Sequence, residues 1–126
     1  MQNLVEPQAS IVDCTEHKDL IKVLGNNDSM SATENIVVYG QHAKNFDFIQ
    51  KITGFNDPAM IVKYLAEQNF SKESKIIDFG CGTGLVGVEL TKNGFTNIVG
   101  VDGSQEMLEV ARSKQMDGKP VYRELC

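Results

Sequence analysis

Apolar residues recur along the second half of this chain with two periods that take turns. The runs Lys75-Ile76-Ile77-Asp78-Phe79 and Asn97-Ile98-Val99-Gly100-Val101 are short, nearly continuous and strand-like. Between them, Leu85, Val86, Val88 and Leu90 follow helical spacing, and that helix is expected to run to about Asn93, where Gly94 closes it. Ser104 is placed to cap the next helix, which extends to about Gln115. Asp117-Gly118-Lys119-Pro120 then turns the chain into a third strand at Val121–Leu125. Strands alternating with helices predict a parallel sheet joined by right-handed crossovers, its strands buried between helices.

The first half reads as helices alone. Residues 1–12 show no period. Asp13 and Glu16 have the spacing to open a short helix over Thr15–Leu24, stopped by Gly25 and followed by the loop Asn26-Asn27-Asp28-Ser29. Ser31 and Glu34 form a capping-box pair ahead of a helix whose apolar stripe carries Ile36, Tyr39, Ala43 and Phe46. Gly54 interrupts. Asp57 then caps another helix, with Pro58 at its first position and Met60, Ile61, Tyr64 and Leu65 as its inner face. The expected layout is an extension over 1–30, covering helices over 31–70 and the first part of an α/β unit over 71–126.

Composition narrows the function classes. The 126 residues suffice for one domain with a modest core, and 41% hydrophobic with 23% charged residues is ordinary for a soluble globular protein. A net charge of −5 argues against nucleic acid or an anionic membrane as the main partner, since both need a basic face. Lys114, Lys119 and Arg123 read as a solvated surface cluster. Cys14, Cys81 and Cys126 make neither a disulfide framework nor a zinc pattern. No run reaches membrane-spanning length, and no signal-peptide pattern opens the chain, so a cytoplasmic, reducing location is expected.

The chemistry concentrates where the first strand meets its helix. Gly80, Gly82 and Gly84 alternate there, so the backbone can turn sharply and lie directly against a ligand. The following helix offers unpaired N–H groups at its start. Asp102 ends the second strand, 22 positions after Gly80, where a carboxylate can grip a ribose diol. Gly82-Thr83-Gly84-Leu85-Val86-Gly87 also fits the G-x-G-x-x-G dinucleotide fingerprint. Asp78 weighs against that reading, because a carboxylate beside a pyrophosphate adds like charge to like. Cys81 reads as a small packing residue within the loop, and His42, alone on its helix, as a polar surface or cap residue.

Asp78-Phe79-Gly80-Cys81-Gly82-Thr83-Gly84 resembles the D-x-G-x-G-x-G signature of class I S-adenosylmethionine-dependent methyltransferases. That cofactor carries an ammonium and a sulfonium and no phosphate, so an acid beside it is favourable. Val101-Asp102-Gly103-Ser104-Gln105-Glu106-Met107-Leu108 is similar to the family's second signature. The resemblance implies that Asp102 takes the ribose hydroxyls, that Gly103 belongs to the cofactor site and that Met107 packs on adenine. It also implies that Asp78 faces the ammonium and that Gly80, Gly82 and Gly84 carry backbone contact to the methionine portion, with Cys81 counted among the cofactor-binding residues of the loop. Tyr39-Gly40-Gln41-His42-Ala43-Lys44-Asn45-Phe46-Asp47 resembles an aromatic–Asp element that lies across the cofactor, with Phe46 where relatives often have tyrosine. The order of elements is similar to the Williams–Beuren-region methyltransferase-like group.

The fold implied is a Rossmann-like α/β/α sandwich with a parallel sheet, preceded by N-terminal helices. A class I sheet has seven strands and this sequence supplies three. The expectation is therefore a truncated, cofactor-binding half with little methyl transfer of its own, an unidentified acceptor and no metal. The bare edge of the first strand would pair with a second copy or a partner. The alternatives are a non-catalytic methyltransferase-like domain used in binding or assembly, and an NAD-dependent oxidoreductase.

Overall fold

The computed structural model describes residues 30–52, 54 and 57–126. The helix expected over Thr15–Leu24, Cys14 and the rest of the expected extension up to residue 29 lie outside the described residues. The chain runs through helix α1 (Ala32–Gln41), a 3-10 turn (Ala43–Asn45), α2 (Phe46–Ile52) and α3 (Asp57–Glu67) before entering the sheet. Strand β1 (Ile76–Phe79), helix α4 (Leu85–Lys92), strand β2 (Ile98–Val101) and helix α5 (Gln105–Ser113) follow. Three two-residue strands end it: β3 (Gln115–Met116), β4 (Lys119–Pro120) and β5 (Glu124–Leu125).

Local chemistry explains most of these boundaries. The Ser31 hydroxyl accepts from the Glu34 N–H while the Glu34 carboxylate accepts from the Ser31 N–H, the reciprocal capping box that starts α1. The Ser104 hydroxyl accepts from Met107 N–H and starts α5. Gly94, at φ +89°, takes the left-handed turn that ends α4.

The main sheet has the order β1-β2-β5, all parallel, with Ile76 opposite Ile98 and Phe79 opposite Val101. This is the arrangement expected for an α/β nucleotide-type fold, with the third strand beside the second. The third strand is shorter than expected, pairing with β2 only at Glu124 and Leu125, and the residues ahead of Val121 form an antiparallel hairpin of β3 with β4. Asp117 (φ +52°) and Gly118 (φ +73°) make its two-residue turn. Two consecutive left-handed residues give the twist a tight hairpin needs, and Asp-Gly is a favoured pair for it.

Two further expectations are corrected. Strand β1 is not buried between helices. Ile76 packs into the core with Ile98, Val62, Val88, Leu90, Leu108 and Ala111, so α3, α4 and α5 all contribute to one face of the sheet. Alternation sends Ile77 and Phe79 to the other face, where they are 50% and 76% exposed. The inner face of α3 is likewise turned from the expected one: Val62 is buried and Leu65 packs against the core, while Met60, Ile61 and Tyr64 are exposed. That helix carries apolar residues on two sides, and periodicity cannot say which side meets α4.

No helix among the described residues is long and apolar enough to cross a membrane. Among them, too, no cluster of three or more His, Cys, Asp or Glu side chains could hold a metal ion.

Candidate functional site

A cavity of about 390 Å³ opens at the C-terminal ends of β1 and β2. This is where ligands settle in open α/β sheets. Gly80 and Gly82 line one side, and Asp102, Gly103, Ser104 and Met107 line the floor. Asn35, Ile36, Tyr39 and Phe46 close it from the helical side. Tyr39 and Phe46 contact each other at 5.7 Å between ring centroids, tilted by 59°, so the two rings make one continuous wall. A wider depression of about 570 Å³ beside the β3–β4 hairpin contains none of the residues expected at a site.

The glycine loop owes its shape to backbone conformation. Gly80, Gly82 and Gly84 have φ of +69°, +54° and +91°, values that side-chain-bearing residues rarely adopt. A Cβ at Gly80 or Gly82 would meet nothing within 4 Å, so their open surface is left free for a ligand. Gly80 and Cys81 both donate their N–H to the Val101 carbonyl, at 2.7 and 3.0 Å, which folds the loop back over β2.

Asp102 joins the two halves of the cavity. One carboxylate oxygen accepts from Gly82 N–H at 2.8 Å, and the other accepts from Ser104 N–H at 2.8 Å. Both bonds hold the carboxylate in place between the glycine loop and the start of α5. Met107 is 2% exposed and lines the cavity as well, so it serves packing and site at once.

Three of the expected site residues do not line the cavity. Cys81 is 6% exposed, and its thiol is pushed up to about 12 by burial and then by the nearby charges of Asp78 and Asp102. At neutral pH it is an uncharged packing group. Gly84 is buried against the ring of Tyr122, where a Cβ would come within 2.9 Å of Cε2. Asp78 lies beneath the loop, accepting a 2.7 Å hydrogen bond from the Tyr122 hydroxyl. His42 is the C-cap of α1 and is also absent from the lining.

Tyr122 and Lys114 are the residues that sequence reasoning missed. The Tyr122 hydroxyl accepts from Gly87 N–H at 3.2 Å while donating to Asp78, so it ties α4 to β1 from below. Its ring lies against Gly84, Gly87 and Gly100, and that run of small residues was the available signal. Lys114, read as solvated surface, is instead largely buried at the end of α5 and paired with Asp47 at 2.6 Å. Its long apolar stem packs inside while the ammonium finds a carboxylate.

Asp78 carries a pH signature. Burial holds its carboxyl above the ordinary value of 3.8; the Tyr122 hydrogen bond opposes the rise and the Asp102 charge adds to it. The folded chain thus binds this proton more tightly than the unfolded chain. The stability Asp78 contributes is complete below the unfolded value and is lost as pH rises through the higher folded one. Tyr122→Phe removes the donor that favours the ionised form, so the Asp78 midpoint is expected to rise further in a carboxyl NMR titration. A midpoint that falls in this variant contradicts the assignment.

A three-strand parallel sheet, a glycine loop after β1 and an acid after β2 define a Rossmann-like nucleoside-cofactor fold. Residues 76–123 match a family described as methyltransferase domain. The chain is 38% identical over 50 residues to EEF1A lysine methyltransferase 2 of Danio rerio, covering 40% of this chain and 22% of that protein. It is 55% identical over 38 residues to human methyltransferase-like protein 27, covering 30% and 16%. It is 34% identical over 55 residues to the putative methyltransferase YqeM of Bacillus subtilis, covering 44% and 22%. The chain therefore spans about a fifth of the length of the curated relatives it matches. The resemblance read from the motifs is borne out: residues 76–123 are similar to methyltransferase domains.

Proposed function

We propose that this chain holds S-adenosylmethionine in the β1–β2 cavity and serves a methyltransferase acting on an acceptor still to be identified. The observation that carries this reading is the charge of the cavity lining. Among the described residues it contains the Asp102 carboxylate and no lysine or arginine, between apolar walls at Ile36, Phe46 and Met107. A ligand with two positive centres, a ribose and an aromatic base suits that lining, whereas a pyrophosphate finds an acid and no side-chain cation.

In this reading Asp102 takes the ribose hydroxyls, with Gly103 beside it. Met107 covers adenine. Gly80 and Gly82 present backbone to the methionine portion, and Phe46 closes the opposite side. Asp78 acts through its field from beneath the loop, and Cys81 and Gly84 shape the loop without touching the ligand. Bound S-adenosylmethionine supplies a methyl group already activated on sulfur, so the chain contributes orientation and exclusion of water. A cytoplasmic location fits this chemistry. The alternative of a non-catalytic domain used in binding or assembly is favoured by one feature, the exposed Ile77 and Phe79 on a strand with β2 as its sole described neighbour. A second copy or a partner strand would pair there.

Calorimetric titration of the chain with S-adenosylhomocysteine and, separately, with NAD tests the assignment. S-adenosylhomocysteine is expected to bind the more tightly. Tighter binding of NAD would return the glycines to the dinucleotide fingerprint.

A further inference from the structure

The helical wall of the cavity is joined to the glycine loop by a side-chain cluster that the lining does not include. Asp47 follows Phe46 directly in the first turn of α2. One of its carboxylate oxygens lies 2.6 Å from Lys114 Nζ, and the other accepts from the Thr83 hydroxyl. Lys114 Nζ also donates to the Thr83 carbonyl. Three segments remote in sequence therefore meet at one point, with Thr83 1% exposed and the Lys114 side chain 18% exposed. We propose that Asp47, Thr83 and Lys114 form a clasp that fastens the α1–α2 wall to the glycine loop and so sets how fast a ligand leaves the cavity. The release half of this proposal rests on the cofactor reading above.

The placement makes the coupling direct. Thr83 sits between Gly82, which lines the cavity, and Gly84, which starts α4. Asp47 adjoins Phe46, whose ring is part of the wall. Each clasp residue is thus a positioning residue one step from the lining. For the wall to swing away, Asp47 must leave both Lys114 and Thr83. The ammonium is then left half-buried with only a carbonyl as partner, an arrangement that a low-dielectric setting penalises. Burial already draws the Lys114 ammonium below its ordinary value and Asp47 works against that, in keeping with a charge that depends on its partner. Packing of α5 against α1 and the 3-10 turn places Lys114 for this contact.

The test uses the full 126-residue chain with Lys114→Met, with the nearly isosteric Asp47→Asn and with both together. Lys92→Met, which removes only a surface pair with Glu89, is the control. Amide exchange is followed in the free protein over 32–52 and over 85–92, and S-adenosylhomocysteine dissociation is followed by stopped flow. Both single variants are expected to raise exchange over 32–52 and the dissociation rate about tenfold, the scale of losing a charge-assisted contact. Exchange over 85–92 and the control stay as in the parent, and the double variant goes no further than either single one. Exchange over 32–52 that matches the parent, or that rises equally over 85–92, overturns the clasp. Unchanged dissociation from both variants overturns its role in release. A parent that binds no S-adenosylhomocysteine defeats the cofactor reading and the release role with it, while the exchange measurement still decides the fastening.

Discussion

Gly87→Ala is expected to destabilise the fold by about 2 kcal/mol, although the position lies inside a helix where alanine is intrinsically better by up to ~1 kcal/mol. Space decides the sign. A Cβ at Gly87 would stand 2.4 Å from Tyr122 Cζ and 2.5 Å from its hydroxyl oxygen, closer than real Cβ atoms come. The ring has little room to shift, because it lies close over the backbone of Gly84 and Gly100, and its hydroxyl is held by Asp78 and Gly87. Denaturant unfolding monitored by circular dichroism measures the loss. Trimming the ring in a Gly87→Ala, Tyr122→Leu double variant should restore part of what the steric clash removes, at the cost of the Asp78 hydrogen bond. A Gly87→Ala chain more stable than its parent would show that propensity outweighs the clash.

Asp102→Ala is expected to weaken S-adenosylhomocysteine binding by roughly 1–3 kcal/mol, the scale of losing charge-assisted hydrogen bonds. The structure adds a second consequence. Removing the carboxylate leaves the N–H groups of Gly82 and Ser104 without the acceptor each now has. Loop geometry and ligand contact therefore fail together. Asp102→Asn keeps one oxygen and should lose less than alanine does. Titration calorimetry on the three chains separates them, and an affinity unchanged in Asp102→Ala would remove this residue from the site.

How much of this was legible in advance depended on the range of the interaction. Caps at Ser31 and Ser104 and the stop at Gly94 are encoded within four residues, and each stands as the sequence implies. The parallel direction of the strands followed from alternation and the crossover rule, whereas their order was implied by the class I resemblance. The β3–β4 hairpin was readable from Asp117-Gly118 yet was passed over, because the apolar run beyond it suggested one longer strand. The inner face of α3 was not readable, since two apolar stripes compete and only the position of α4 chooses between them. Tyr122 and Lys114 lay further out of reach. Their partners Asp78 and Asp47 are 44 and 67 positions away, and nothing local marks a tyrosine or a lysine for burial.

The Tyr122 contact also orders events in time. Every described residue lining the β1–β2 cavity lies between Asn35 and Met107, so all of them leave the ribosome before Tyr122 does. Yet the underside of the loop is closed by a ring that arrives later, reaching back across 44 positions to Asp78. A nascent chain released up to the β3–β4 hairpin holds the whole recognition surface with three facing glycines and an empty slot beneath them. Its final shape waits until Tyr122 has been synthesised and has reached back to Asp78.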